Sequence, residues 1–199
     1  MSAMHDLPRE VRGVMIPITN GRVLLPNATV AEVITFSNPE PVASAPGWLL
    51  GRSSWRGWRV PLFSFSVLAG LAPVESTDNA RVAILKALEG HSKMPFLGLL
   101  TQGFPRLTTI SPDILIPSGD DNPVPAGVRE QVLVRDDHAF IPDLAQIEDM
   151  VQAASKAASA SLQGPPALSD PIPLPVPSDR VQCGAGRDAG GRHDRQAQQ

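Results

Sequence analysis

Short apolar runs, each bounded by turn residues, recur along the first three quarters of the chain. The run at residues 60–65 (VPLFSF) is apolar on both faces, and a run of this kind predicts a strand buried on both sides. A second β-leaning run at residues 48–55 precedes it across the dipeptide Arg56-Gly57. Residues 48–68 therefore predict a hairpin whose second strand is the central strand of the domain, with which the rest of the chain pairs.

A second hairpin is predicted near the start of the chain. Val14, Ile16 and Ile18 alternate with other residues, and an apolar run resumes at residues 22–25. Asn20-Gly21 lies between the two runs, and Asn-Gly is a strong hairpin signal because both central positions of a type I′ turn need a positive φ.

The remaining pattern predicts further short strands and loops. Strands are predicted at residues 81–88, 94–100, 106–110, 131–134 and 139–141, with turns at 89–93 and 135–138. Residues 27–33 fit either one helical turn or a bent strand, and proline-rich or polar loops are expected at 38–47 and 117–127. About ten short strands predict an all-β fold of two small barrels or a sandwich.

The pattern predicts one long helix, which begins after Asp143. Asp143 is a suitable N-cap, Gln146 stands three residues later as in a capping box, and Leu144, Ile147 and Val151 share a face. Gly164 and the two prolines after it end the helix. Six of the fourteen residues at 164–177 are proline. We therefore expect a flexible N-terminus at 1–10, one domain at 11–163 and a disordered tail at 164–199.

Composition narrows the classes of protein to consider. The net charge of −3 argues against a general nucleic-acid binder, which needs a basic face. The single cysteine, Cys183, excludes an internal disulfide framework and a multi-cysteine zinc site. The N-terminal sequence lacks the apolar region of a signal peptide, and no apolar run approaches the length that crosses a bilayer. We therefore expect a cytoplasmic protein that does not insert into the membrane.

No catalytic, cofactor or metal site is predicted. The glycines of the tail lack both the spacing and the strand–helix context of a dinucleotide-binding loop. Asp136, Asp137 and His138 fall in a predicted turn, where aspartate is common for conformational reasons. Ser53, Ser54, Ser64 and Ser66 lie near the central hairpin without a nucleophile-elbow motif, and none of the four histidines is near them in sequence. The chain is therefore expected not to be an enzyme.

The tip of the central hairpin is a candidate binding surface. Trp55 and Trp58 flank Arg56-Gly57, and Arg59 follows. Tryptophan and arginine are enriched in the hot spots of protein interfaces. The alternative interpretation is that both tryptophans pack against the core and that Arg56 is only solvated.

Several segments, in this order, resemble one known family. They are residues 24–33 (LLPNATVAEV), 45–51 (APGWLLG), 54–57 (SWRG), 60–65 (VPLFSF), 95–107 (PFLGLLTQGFPRL) and 141–144 (IPDL). Together they resemble the CheW-like chemotaxis adaptors over residues 11–151, with the greatest similarity to the ChpC-like branch. Trp55 stands where that family usually has leucine, and Ser64 stands where it usually has aspartate.

The resemblance implies a fold and a function. It implies two five-stranded SH3-like β-barrels that share a core, followed by a C-terminal helix. It also implies a non-enzymatic scaffold that couples methyl-accepting chemotaxis receptors to a CheA-type histidine kinase, in the control of type IV pili and twitching motility. By position, Val30, Glu32, Arg56 and Gly57 correspond to partner-binding residues. The alternative is an unrelated SH3-like module that binds proteins or peptides.

Overall fold

A computed structural model of the chain describes residues 10–88, 94–118 and 124–161, with side chains up to residue 157. The strands are β1 (Val11–Ile18), β2 (Gly21–Pro26), β3 (Val30–Thr35), β4 (Leu49–Trp55), β5 (Trp58–Phe63), β6 (Arg81–Lys86), β7 (Phe96–Thr101), β8 (Arg106–Ile110), β9 (Leu115–Pro117), β10 (Val128–Val134) and β11 (Asp137–Pro142). A 3-10 turn (Asn27–Thr29) precedes β3, and the α-helices are α1 (Phe65–Leu68) and α2 (Leu144–Ser161). The predictions for residues 1–9, 89–93, 119–123 and 162–199 lie outside the described residues.

The strands form two sheets, which confirms the all-β, two-barrel prediction. One sheet has the order β8-β1-β2-β11-β10-β9, and the other has the order β3-β6-β7-β5-β4. The six-stranded sheet joins the first two strands of the chain to the last four, through antiparallel pairing of β1 with β8 and a parallel contact between β2 and β11. The five-stranded sheet is built from consecutive strands. Ten strands were expected, and the additional one is the short edge strand β9.

Alternate residues of single strands serve two different cores. Val14, Ile16 and Ile18 of β1 belong to a cluster that also contains Leu85, Leu97 and Leu99 from the other sheet; we call it the seam core. Met15, between them in β1, belongs to a separate cluster inside the six-stranded sheet. Val82 and Ile84 of β6 likewise face a cluster inside the five-stranded sheet. Strands that separate two cores are apolar on both faces, which explains the continuous apolar runs in the sequence.

Helix α2 packs into the seam core, where Ile147 and Val151 are fully buried. Its N-cap is confirmed: Asp143 Oδ1 accepts a hydrogen bond from Gln146 N at 3.0 Å. The second half of the predicted capping box is not formed. Gln146 Oε1 instead accepts from Gly127 N at 3.1 Å, so the side chain ties the helix to the loop before β10.

Both predicted hairpins are present, and one is shifted by a residue. Ile18 pairs with Gly21, so the two-residue turn is Thr19-Asn20 and not Asn20-Gly21. Asn20 has the positive φ, 62°, and its side-chain amide donates to the Leu71 carbonyl at 2.9 Å. This contact anchors the turn to the segment after α1.

The prediction that residues 60–65 form the central strand is wrong in two respects. Strand β5 ends at Phe63, and the middle strand of the five-stranded sheet is β7. Ser64 ends the strand because its Oγ accepts a hydrogen bond from Val67 N at 3.2 Å and so caps α1. The two alternatives for residues 27–33 are both realised, since a 3-10 turn leads directly into β3.

Candidate functional site

The turn between β4 and β5 presents the predicted Arg56-Gly57 pair at the end of the hairpin. Trp55 pairs with Trp58, which leaves a two-residue turn. Arg56 has φ 47° and Gly57 has φ 81°, as a type I′ turn requires. Gly57 is exposed, and a Cβ added there would meet no atom within 4 Å, so its role is conformational and not steric.

Glu32 of β3 meets this turn and joins it to the opposite edge of the sheet. Its Oε2 accepts hydrogen bonds from Trp55 Nε1 at 2.9 Å and from Arg56 Nε at 3.1 Å, and Arg56 Nη2 lies 3.0 Å away. Strands β3 and β4 are the two ends of the sheet order. The carboxylate therefore closes the five-stranded barrel through side chains where no strand pairing closes it.

A bulge in β3 separates two of the predicted site residues. Val30 lies opposite Leu85 and Glu32 lies opposite Ile84, so Ala31 is an extra residue in the ladder. Val30 is half-buried and packs against the seam core. Glu32 turns to the other face and reaches Trp55, which packs against the cluster inside the five-stranded sheet. Of the four predicted site residues, Glu32, Arg56 and Gly57 therefore lie together at the turn, and Val30 packs against the seam core instead.

The two tryptophans pack around Phe96, a residue that the sequence analysis did not single out. The Trp55 and Phe96 ring centroids are 4.9 Å apart in an edge-to-face arrangement, and those of Trp58 and Phe96 are 5.9 Å apart. The Arg56 guanidinium lies 5.2 Å from the Trp55 ring centroid. Trp55 thus packs as the alternative interpretation expected. Trp58 stays 46% exposed.

Arg56 remains largely available to a partner although it forms an ion pair. Its side chain is 70% exposed, and that of Glu32 is 38% exposed. Nε and Nη2 are directed at Glu32, which fixes the plane of the guanidinium and leaves its remaining N–H groups for another acceptor. A second ion pair, between Arg59 Nη1 and Glu40 Oε2 at 2.5 Å, joins the same hairpin to the loop before β4. We call Glu32, Trp55, Arg56, Gly57 and Trp58 the hairpin-tip site.

Ser64, Ser66 and Asp137, among the candidates for chemistry, have structural contacts, whereas the Ser53 hydroxyl has no partner among the described residues. Ser64 Oγ donates to the buried Glu75, and Ser66 Oγ donates to the Thr19 carbonyl at 2.9 Å. Glu75 Oε1 also accepts from Thr19 N at 3.1 Å, so this carboxylate joins the first hairpin to α1. Asp137 pairs with Arg22 at 2.5 Å. Within residues 10–88, 94–118 and 124–161, no group of three or more potential ligands is placed to hold a metal ion.

Comparison with known families decides the class of the domain. Residues 12–152 match the sequence profile of the CheW-like domain. The chain belongs to the CheW-like family. The matched range contains both sheets, the hairpin-tip site and the first part of α2. Membership confirms the family resemblance, and the ChpC-like branch stays a prediction.

The fold of this CheW-like chain also resembles a solved scaffolding protein. The crystal structure of TtCheW from Thermoanaerobacter tengcongensis matches with a TM-score of 0.57 and 17% identity, over 72% of this chain and 91% of that chain. At this identity the similarity concerns the fold. No curated protein matches the sequence significantly. Neither helix in the described part of the CheW-like chain is long and apolar enough to cross a membrane.

Proposed function

We propose that this CheW-like protein is a non-enzymatic chemosensory scaffold that couples methyl-accepting receptors to a CheA-type histidine kinase. The family match over residues 12–152 carries the proposal, because it covers both barrels. The fold it shares with a scaffolding protein agrees with a role in assembly. Family membership also argues against the alternative of an unrelated SH3-like module.

The hairpin-tip site supplies a chemistry for partner binding. Arg56 is held in one orientation by Glu32, so little side-chain entropy is lost when a partner accepts its free N–H groups. Trp58 offers an exposed aromatic surface beside it. An oriented arginine next to an exposed tryptophan has the composition of an interface hot spot.

In this proposal Val30 also contributes to partner binding, from a position outside the hairpin-tip site. It lies on the edge strand β3, half-buried against the seam core. We propose that its exposed part forms an apolar contact with a partner that also reaches Glu32. Gly57 acts indirectly, by allowing the turn that orients Arg56.

The finer assignment concerns the cellular process. We propose that the chain belongs to the ChpC-like branch and acts in the cytoplasm, in the control of type IV pili and twitching motility. The order of the six sequence segments described above supports this branch. A strain that lacks the protein is expected to lose regulated twitching, and regain it with the wild-type chain. Normal twitching in that strain would contradict the assignment.

Reconstitution of receptor-containing vesicles, kinase and the full chain tests the scaffold function. Arg56→Ala and Glu32→Lys are each expected to weaken assembly by about tenfold or more. Arg56→Ala removes the guanidinium, and Glu32→Lys removes the carboxylate that orients it. The readouts are kinase co-sedimentation and receptor-dependent autophosphorylation of the kinase.

Arg59→Ala is the matched control, since Arg59 is an exposed arginine of the same hairpin that pairs with Glu40 instead. Circular dichroism establishes that each variant is folded. Wild-type assembly by folded Arg56→Ala and Glu32→Lys would contradict the role of the hairpin-tip site. Failure of the wild-type chain to bind either the kinase or the receptor would contradict the scaffold proposal itself.

A further inference from the structure

Strand β8 has a free edge. It lies at the end of the six-stranded sheet order and pairs with β1 alone among the described strands, with Arg106 opposite Met15 and Ile110 opposite Val11. The backbone N–H and C=O groups that point away from β1 are a template for another strand. This edge belongs to the six-stranded sheet, whereas the hairpin-tip site lies on the five-stranded sheet.

Three adjoining hollows, of about 280, 370 and 280 Å³, follow this edge. The first two share Arg22 and Arg106 in their lining, and the second and third share Leu107 and Thr108. We call the three hollows together the β8 groove. Their linings include Arg106, Leu107, Thr108 and Thr109 of β8, four residues that span roughly 13 Å at the rise of an extended chain.

The β8 groove is basic although the protein is acidic overall. Four arginines, Arg12, Arg22, Arg106 and Arg135, line it together with one carboxylate, that of Asp137. Asp137 pairs with Arg22 at 2.5 Å, and the other three arginines form no ion pair within the described residues. The groove therefore carries an excess of positive charge on a chain whose net charge is −3. This local field favours an anionic occupant.

Three of the four arginines, Arg22, Arg106 and Arg135, line one hollow together with Met15, so they meet one face of an added strand. Arg106 lies opposite Met15 and so shares the face of the cluster inside the six-stranded sheet, whereas Leu107 lies opposite Val14 on the other face. Arg12 lines the hollow next to Leu107, which is 75% exposed. A strand paired with β8 would direct successive side chains to these two faces in turn.

We propose that the β8 groove binds an extended acidic segment of a partner protein, which adds to the sheet as a strand beside β8. Main-chain hydrogen bonds supply the affinity in this mode, and the arginines select carboxylates at alternate positions. A second copy of this chain is a poor occupant, because β8 has the sequence RLTTI, with one arginine and no carboxylate. Self-pairing would therefore bring no carboxylate of β8 to the arginines of the groove.

Fluorescence anisotropy with the full chain tests this proposal. The probe is a labelled peptide of alternating glutamate and valine, long enough to span β8. Binding is expected to weaken as salt rises, and Arg106→Glu is expected to weaken it by about tenfold or more, because it reverses a charge in the groove. Arg129→Glu is the matched control, since it makes the same charge change at an exposed position of β10 outside the groove lining.

Two further peptides separate strand addition from simple charge attraction. A peptide of alternating lysine and valine is expected not to bind. The acidic peptide with alternate backbone nitrogens methylated keeps its charge but loses its pairing edge, and it is also expected not to bind. If Arg106→Glu is unfolded by circular dichroism, Arg135→Glu replaces it as the test variant.

Other outcomes would overturn the proposal. An equal loss of affinity in Arg129→Glu would mean that only the net charge matters. Undiminished binding of the methylated peptide would exclude strand pairing. Equally tight competition by a single-stranded oligonucleotide would make the groove a general polyanion surface. Absence of binding to the acidic peptide at low salt would remove the groove as a docking site.

Discussion

Ser53 is a polar residue in an apolar place. It is 5% exposed on β4, and its Oγ has no hydrogen-bond partner among the described residues. A buried hydroxyl without a partner has a desolvation cost that nothing offsets. Ser64, which is equally buried, differs because its Oγ both donates to Glu75 and accepts from Val67 N.

We predict that Ser53→Ala leaves the free energy of unfolding unchanged or raises it by up to about 1 kcal/mol. Ser64→Ala is the matched control and is expected to lower it by about 1–3 kcal/mol, because it removes the donor to Glu75 Oε2 and the acceptor that caps α1. Urea unfolding measures both. A loss above about 1 kcal/mol in Ser53→Ala would show that this hydroxyl has a partner that stabilises the fold.

Gly51 is required where β4 meets the proline-rich loop. It has φ 144°, and a Cβ added there would lie 2.4 Å from the Glu40 carbonyl oxygen. Glu40 and Arg52 exchange two backbone hydrogen bonds of 2.8 Å at this point, so the carbonyl cannot move freely.

We predict that Gly51→Ala lowers the free energy of unfolding by about 1–3 kcal/mol, because it strains the backbone and displaces this bridge. Gly57→Ala is the comparison, since it has a positive φ but open space around it. Thermal unfolding should therefore show a larger loss for Gly51→Ala. An equal loss in both variants would mean that the clash with Glu40 is relieved without cost.

Strand β5 separates two cores, because its neighbouring side chains face different clusters. Leu62 faces the cluster inside the five-stranded sheet and is fully buried, whereas the neighbouring Phe63 faces the seam core. We predict that Leu62→Ala lowers the free energy of unfolding by about 2–5 kcal/mol, through lost burial and a cavity. Leu107→Ala, at a 75% exposed position, is the control and should change it by less than about 0.5 kcal/mol. A urea melt that shows equal, small effects would contradict this assignment of the core.

The pattern predicted most elements because apolar periodicity reports burial directly. It missed β9 because Leu115–Pro117 is three residues long, ends in proline and borders a polar loop. It also extended β5 through Phe65, since an apolar residue that begins a buried helix resembles one that continues a strand. The first turn is anchored by a contact between Asn20 and Leu71, which are 51 residues apart.

The candidate site was predictable only in its local part. The Arg56-Gly57 turn follows from the dipeptide and its flanking strands. The contact of Glu32 with Trp55 depends on closure of the barrel and on the bulge at Ala31, and neither leaves a signal in a single sequence. Resemblance to the CheW-like family brought Glu32 and Arg56 forward without showing that they touch.

For the whole molecule, the seam core makes the two sheets dependent on each other. It contains residues from both sheets and from α2, so neither sheet can lose its structure without exposing apolar surface of the other. Domains that share a core in this way unfold as one cooperative unit.

We predict coincident urea transitions for the two sheets. Tryptophan fluorescence reports on the five-stranded side, where Trp55 and Trp58 lie on β4 and β5, and also on the seam core, against which Trp48 packs. Amide NMR signals of β10 and β11 report on the other sheet. Ile16→Ala, in the seam core, should lower both midpoints equally. Separate midpoints in the wild-type chain would contradict a shared core.

The order of the strands has a consequence for synthesis on the ribosome. Among the described strands β1 and β2 emerge first, their neighbour β8 emerges only after the five-stranded sheet, and their neighbour β11 emerges last; Arg22 and its partner Asp137 are 115 residues apart. At about 5–20 residues per second, the first hairpin waits roughly 6–23 s for the strand that covers it. The five-stranded sheet, built from consecutive strands, is complete before then. Until β8 and β11 emerge, the nascent chain therefore carries a first hairpin without its two neighbouring strands, and this hairpin is the segment that a ribosome-associated chaperone would need to shield.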